Sequence, residues 1–101
     1  MNEIYEIGKF KFIYTEMLLI DKNSSAKLSR KECDLLRLLT INKNQLLERE
    51  IALIEIWGKN DYFYGRSMDV YLTKLRKRLK SDNNVSIVNV HGKGFILETK
   101  N

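Results

Sequence analysis

GRSMDVYLTKLRKRLKSD, residues Gly65 to Asp82, reads as one amphipathic helix. Its apolar side chains Met68, Leu72, Leu75 and Leu79 recur at i, i+4, i+7 and i+11, the period of a single buried face. At about 100° per residue the opposite side presents Arg66, Val70, Thr73, Lys74, Lys77 and Ser81. Six basic side chains (Arg66, Lys74, Arg76, Lys77, Arg78, Lys80) stand against two acids, Asp69 and Asp82. A helix that buries one side and offers cations on the other is built to lie against a polyanion. The expectation is that it enters the major groove of DNA.

The charge of the whole chain sharpens this. Net charge is +5 over 101 residues, yet residues 1–64 hold ten Lys/Arg and ten Asp/Glu, whereas residues 65–101 hold eight and three. The excess is therefore local, as expected for nucleic-acid binding and unlike an evenly spread solubility device. A solvated lysine-rich surface helix is the plain alternative.

Length limits the chain to one domain with a single modest core. No apolar run approaches the roughly 18 residues of a membrane span, and no signal peptide is expected ahead of the fold. Cys33 is the one cysteine, so no internal disulfide can form, which suits a cytoplasmic protein.

Before the basic helix the chain is β-like, then helical. Ile4–Ile7, Phe10–Phe12 and Met17–Ile20 alternate or run apolar, the turn-prone Asp21–Ser25 follows, and a short strand near Ala26–Leu28 would pair back. Together they predict a small antiparallel sheet, with Tyr5, Phe10, Phe12 and Tyr14 as its packing. Ser29-Arg30-Lys31-Glu32 is a capping box that opens a helix to about Ile41, buried through Leu35, Leu36, Leu38 and Leu39. Cys33 falls among these leucines as a small core residue without a nucleophile's support.

After a polar connector, Asn42–Gln45, a second helix is expected from Arg49 to Trp57, ending at Gly58. Leu47, Ile51, Ile54 and Trp57 would form its buried face, and Glu48 is a poor cap. Lys59–Gly65, KNDYFYG, reads as a loop whose aromatics Tyr62, Phe63 and Tyr64 are either a contact patch or packing. Beyond the turn Ser81–Asn84, strands Val85–Val90 and Phe95–Thr99 flank His91-Gly92-Lys93-Gly94, a hairpin with a glycine-rich, cationic tip. The fold class is α+β: an N-terminal antiparallel sheet, three helices and a C-terminal β-hairpin wing.

This order resembles a known group. The Ser29–Glu32 helix start, Trp57-Gly58, Arg66-Ser67-Met68-Asp69-Val70-Tyr71-Leu72 leading into Leu75-Arg76-Lys77, and His91-Gly92-Lys93-Gly94-Phe95 occur in sequence, as in the winged helix-turn-helix effector domain of OmpR/PhoB-type response regulators. The resemblance covers nearly the whole chain. It implies sequence-specific binding of double-stranded DNA and regulation of transcription in bacteria, within a two-component phosphorelay.

It further implies a recognition helix at Arg66–Lys80 and a wing at His91–Phe95 that enters the adjacent minor groove. Trp57–Ser67 would be the loop that often touches RNA polymerase in this family, offering Tyr62, Phe63 and Tyr64. Family members pair head-to-tail on direct repeats and carry an N-terminal receiver domain served by a sensor histidine kinase. The receiver domain is absent from this chain, so the expectation is an effector half. With Met1 native it would instead be a stand-alone regulator.

Two departures bear on readout. His91 stands where the family usually has arginine, which implies weaker or pH-sensitive minor-groove contact, or transfer of that role to Lys93. Tyr71 and Thr73 stand where histidine or arginine is often found, so no relative's target sequence carries over.

On the helix, Arg66 and Lys74 are the expected readers of guanine O6/N7, Val70 of a thymine methyl, and Thr73 of a base or phosphate. Arg76, Lys77, Arg78 and Lys80 are expected at phosphates, and Tyr71 either there or in the core. Asp69 either orients a neighbouring arginine or accepts from cytosine N4. On the wing, Asn89, His91 and Lys93 are the candidates. No cofactor or metal is expected, and no enzyme: one histidine, no ligand cluster and no phosphate-cradling loop leave catalysis without residues. An RNA-binding module would want aromatics on a sheet face beside the cations. A winged-helix protein-interaction module, docking an acidic partner, is the other alternative.

Overall fold

The capping box closes as its residue types require. Ser29 Oγ accepts from the Glu32 amide at 3.3 Å, and Glu32 Oε1 accepts from the Ser29 amide at 3.0 Å. Two otherwise orphaned donors are thereby satisfied at the start of α1, Arg30–Ile41. The computed structural model describes residues 2–100. Ahead of α1 run β1 (Ile4–Ile7), β2 (Phe10–Ile13), β3 (Leu18–Ile20) and β4 (Ser25–Lys27), which form a four-stranded antiparallel sheet in chain order. Phe10 and Phe12 point into the core, and Tyr5 and Tyr14 pack half-buried against Phe12. A single 3-10 turn at Tyr14–Glu16, absent from the sequence reading, joins β2 to β3.

Helix α1 buries Cys33, Leu35, Leu36 and Leu39 and leaves Leu38 half-buried. Burial pushes the Cys33 thiol up to about 11, so it stays a neutral core side chain.

The connector holds the first surprise. Leu47 and Glu48 form a short strand, β5, paired antiparallel to Phe95 and Gly94 of β7 (Gly94–Thr99). Leu47 was expected on the second helix; cross-strand pairing with the wing claims it instead. The C-terminal sheet is therefore three-stranded, in the order β5-β7-β6, with β6 at Val85–Val90. Gly94 is required here, because a Cβ would collide with the Leu47 carbonyl oxygen.

Helix α2, Arg49–Trp57, ends at Gly58, which adopts the left-handed conformation at φ 80° and donates to the Ile54 carbonyl. Its buried face is a correction. Ala52 and Leu53 are buried with Ile56 and Trp57 partly so, whereas Ile51 and Ile54 are 45% and 50% exposed. With Leu47 taken into a strand, the helix turns Ala52, Leu53, Ile56 and Trp57 to the core in place of Ile51 and Ile54.

Helix α3 spans Tyr62–Leu79, starting four residues before the expected recognition helix. Tyr62, Phe63 and Tyr64 are its first turn, not a loop. The reason is Asp61, whose carboxylate accepts from the Tyr64 amide at 2.9 Å and caps the helix. Met68, Leu72, Leu75 and Leu79 are all buried, as their spacing requires. The C-terminal end of α3 is tied to the first sheet through Asp82, which accepts from the Lys9 and Asn84 amides at 2.9 Å each. Among the described residues no helix is long and apolar enough to cross a membrane.

Candidate nucleic-acid interface

The outward side of α3 is open. Val70 is 54% exposed, and Arg66, Thr73, Lys74, Lys77 and Lys80 are exposed with it. Among the described residues nothing covers the face on which the basic-helix reading depends. Arg66 Nη1 donates to the Tyr62 hydroxyl at 3.1 Å and its guanidinium lies 5.8 Å from that ring's centroid, so its reach is set by the first turn. Lys74 Nζ rests 5.1 Å from the centre of the Tyr71 ring, and Tyr71 itself leans half-buried on Trp57 at 6.0 Å. Tyr71 thus lies between Lys74 and Trp57. Thr73 donates its hydroxyl to the Asp69 carbonyl at 3.1 Å and keeps only acceptor capacity for a ligand.

The basic residues of α3 divide sharply. Arg78 was expected at a phosphate, but its Nε donates to Glu32 Oε2 at 2.6 Å on the core side of the helix. Glu32 is 3% exposed and would be an uncompensated buried anion without it. Burial alone would raise the Glu32 pKa; the Arg78 guanidinium and the Ser29 amide and hydroxyl outweigh it and hold the carboxyl below its ordinary value. Arg76 is half-engaged: Nε donates to the Ile87 carbonyl at 3.0 Å and Nη2 to Asn89 Oδ1 at 2.9 Å. It fastens the helix to strand β6, and Asn89 is correspondingly held as its acceptor.

The wing stands beside the helix. His91, Gly92 and Lys93 are exposed at the hairpin tip, and Gly92 turns it at φ 71°. Between wing and helix lies a groove of about 420 Å³, walled by Asp69, Thr73 and Arg76 on one side and Asn89, His91 and Lys93 on the other.

At its floor is a residue that the sequence reading passed over. Arg49, the first residue of α2, donates from Nη1 and Nη2 to the two Asp69 carboxylate oxygens at 2.8 and 3.2 Å, and from Nη2 to the Gly65 carbonyl at 3.0 Å. Its backbone amide donates to the Lys93 carbonyl at 3.0 Å. Gly65 has no side chain where one would press on this guanidinium, since a Cβ there would lie 2.9 Å from Arg49 Nη2. Asp69 therefore orients an arginine, one of its two expected roles. The one available hint was the pairing of an acid on a groove face with a glycine one turn earlier.

Tyr62 and Phe63 are 69% and 75% exposed and meet edge-to-face at 5.8 Å, with Tyr64 38% exposed. Of the two readings left open for them, packing under the domain is excluded.

A cationic helix laid open on a three-helix frame, with a glycine-tipped hairpin alongside, defines a winged-helix DNA-binding domain. Residues 23–97 match the family described as transcriptional regulatory protein, C terminal, and the chain belongs to that family, in its OmpR/PhoB winged-helix form. The transcriptional regulatory protein RprY of Bacteroides fragilis is 47% identical over 98 residues, covering 97% of this chain and 42% of that one. The response regulator ArlR of Staphylococcus aureus is 36% identical over 89 residues, covering 79% and 41%. The chain thus spans less than half the length of these relatives. In fold it is similar to the DNA-binding domain of CpxR from E. coli, with a TM-score of 0.81 at 20% identity, covering 94% and 95% of the two chains.

Proposed function

We propose that this domain binds a specific duplex sequence by seating α3 in the major groove, and that it does so as the effector half of a two-component response regulator. The observation that carries the reading is the uncovered face bearing Arg66, Val70, Lys74 and Lys77 next to an exposed wing. Arg66 and Lys74 read guanine, Val70 meets a thymine methyl, and Thr73 accepts from a base or a bound water. Lys77 and Lys80 hold phosphates and set register; Arg76 contributes only what its ties to β6 leave free. His91 and Lys93 reach the adjacent minor groove. The domain acts by binding and not by catalysis.

The same reading supplies the wider setting: a receiver domain and sensor histidine kinase in a longer protein, head-to-tail pairing on direct repeats, and a bacterial cytoplasm. The exposed Tyr62–Phe63 pair supports contact of this corner with RNA polymerase, now from the first turn of α3.

Selection of bound duplexes from a random pool, followed by salt titration of the winner, tests the proposal. With Lys77 and Lys80 at phosphates and Arg76 there in part, log K should fall with log salt at a slope of roughly −2 to −3. Failure to enrich any duplex would favour docking of an acidic protein partner.

A further inference from the structure

The basic side chains explain how DNA is held, but not how helix and wing keep the spacing that two neighbouring grooves demand. The stem of the hairpin is paired to β5 through β7 and fastened to α3 where Arg76 bonds Ile87 and Asn89, but its tip, His91–Lys93, lies beyond those ties. At the tip the tie is Arg49. Its amide holds the Lys93 carbonyl at the wing, and its guanidinium holds both Asp69 oxygens and the Gly65 carbonyl on the recognition helix. One residue at the start of α2 thus bonds to both halves of the reading surface. The planar fork makes the link directional, which a lysine could not do.

We infer that Arg49 and Asp69 are positioning residues that lock the wing to the recognition helix, so that wing and helix engage DNA as one rigid unit. The inference rests on the proposed mode of DNA binding. Asp69 places a carboxylate, its side chain 57% exposed, on a surface that meets a polyanion. By charge alone its removal would tighten binding; as the anchor of Arg49 its removal loosens the wing and weakens binding. These signs are opposite, which makes the test decisive.

The test uses the duplex most enriched by the wild-type domain from a random pool. Asp69→Ala, Lys93→Ala and the double variant are compared by titration, by hydroxyl-radical footprinting of the wing's minor groove and by reselection from the pool. The expected result is a loss of roughly tenfold in affinity for Asp69→Ala, within the range for residues joined in one hydrogen-bonded network. Protection of the sugars under the wing is lost while that of the sugars flanking α3 stays, and Lys93→Ala adds little in the Asp69→Ala background. Asp69→Asn, which keeps an acceptor for Arg49, recovers part of the loss, and Arg49→Lys does not reproduce the wild type. Because the pair is exposed, the unfolding midpoint of these variants should hardly move, which separates positioning from folding.

Tighter binding by Asp69→Ala, losses that simply add to those of Lys93→Ala, or relaxed preference at one base pair with the wing still protecting would each overturn the inference. The last outcome would make Asp69 a reader of cytosine. A wild-type domain that enriches no duplex would instead overturn the DNA-binding mode itself.

Discussion

Lys77 and Arg78 are neighbours in sequence and opposites in use. Lys77 stands exposed on the open face of α3, whereas Arg78 turns inward and neutralises the buried Glu32 of α1. Arg76 lies between these extremes, bonded to β6 yet lining the groove. A run of cations is therefore not a footprint of DNA by its number alone. What counts is which guanidinium or ammonium group the fold has left without a partner.

The contrast between the core edge of α3 and its outward face can be broken most forcefully from the core. Leu75→Ala should cost about 2–5 kcal/mol of folding stability, read by urea denaturation, with binding lost only as the fold is lost. Next comes Arg78→Ala. Stranding the Glu32 carboxylate should cost about 1–3 kcal/mol, as for any buried acceptor whose partner is removed. The slope of affinity against salt should not change; a shallower slope would return Arg78 to the phosphates.

The same pair predicts an acid sensitivity. The folded pKa of Glu32 lies below its ordinary 4.5, so its contribution is present above that value and is lost as pH falls through the folded pKa. Thermal melts between neutral and strongly acidic pH should show this loss, and it should be smaller in Arg78→Ala.

On the outward face, Lys74→Ala should cost about 1–3 kcal/mol of binding and relax preference at one base pair, measured by reselection. Lys77→Ala should have the mildest effect, weakening all sequences alike and lowering the salt slope by about one. If Lys77 relaxed a single position and Lys74 weakened all alike, the division between reading and holding would be reversed.

Local chemistry was legible wherever a pattern and its structural consequence lie within a few residues. Ser29 and Glu32 are three apart, Gly58 follows the last turn of α2, and Met68, Leu72, Leu75 and Leu79 repeat at the helical period; each element stands where those residues put it. The candidate site was legible to the same degree. The outward positions of Arg66, Val70, Lys74 and Lys77 follow from helical geometry once the buried stripe is known.

Errors arose where two partners are far apart in sequence. Leu47 looks helical beside Ile51 and Ile54, but its strand partner Phe95 comes from the other end of the chain and shifts which face of α2 is buried. Tyr62–Tyr64 are the exception, a local miss: Asp61, three residues before Tyr64, caps them into the helix, and Gly65 inside that helix admits Arg49.

By itself, then, the sequence determined the kind of domain: its caps, its amphipathic helix, its glycine-tipped hairpin and the region of excess charge. Only the tertiary structure decided the partners of the charges, with Arg78 drawn to Glu32 and Arg49 to Asp69. The reason is range. Periodicity and capping are set by residues a turn apart along one backbone, whereas an ion pair depends on where a second segment comes to lie, and no local pattern records that.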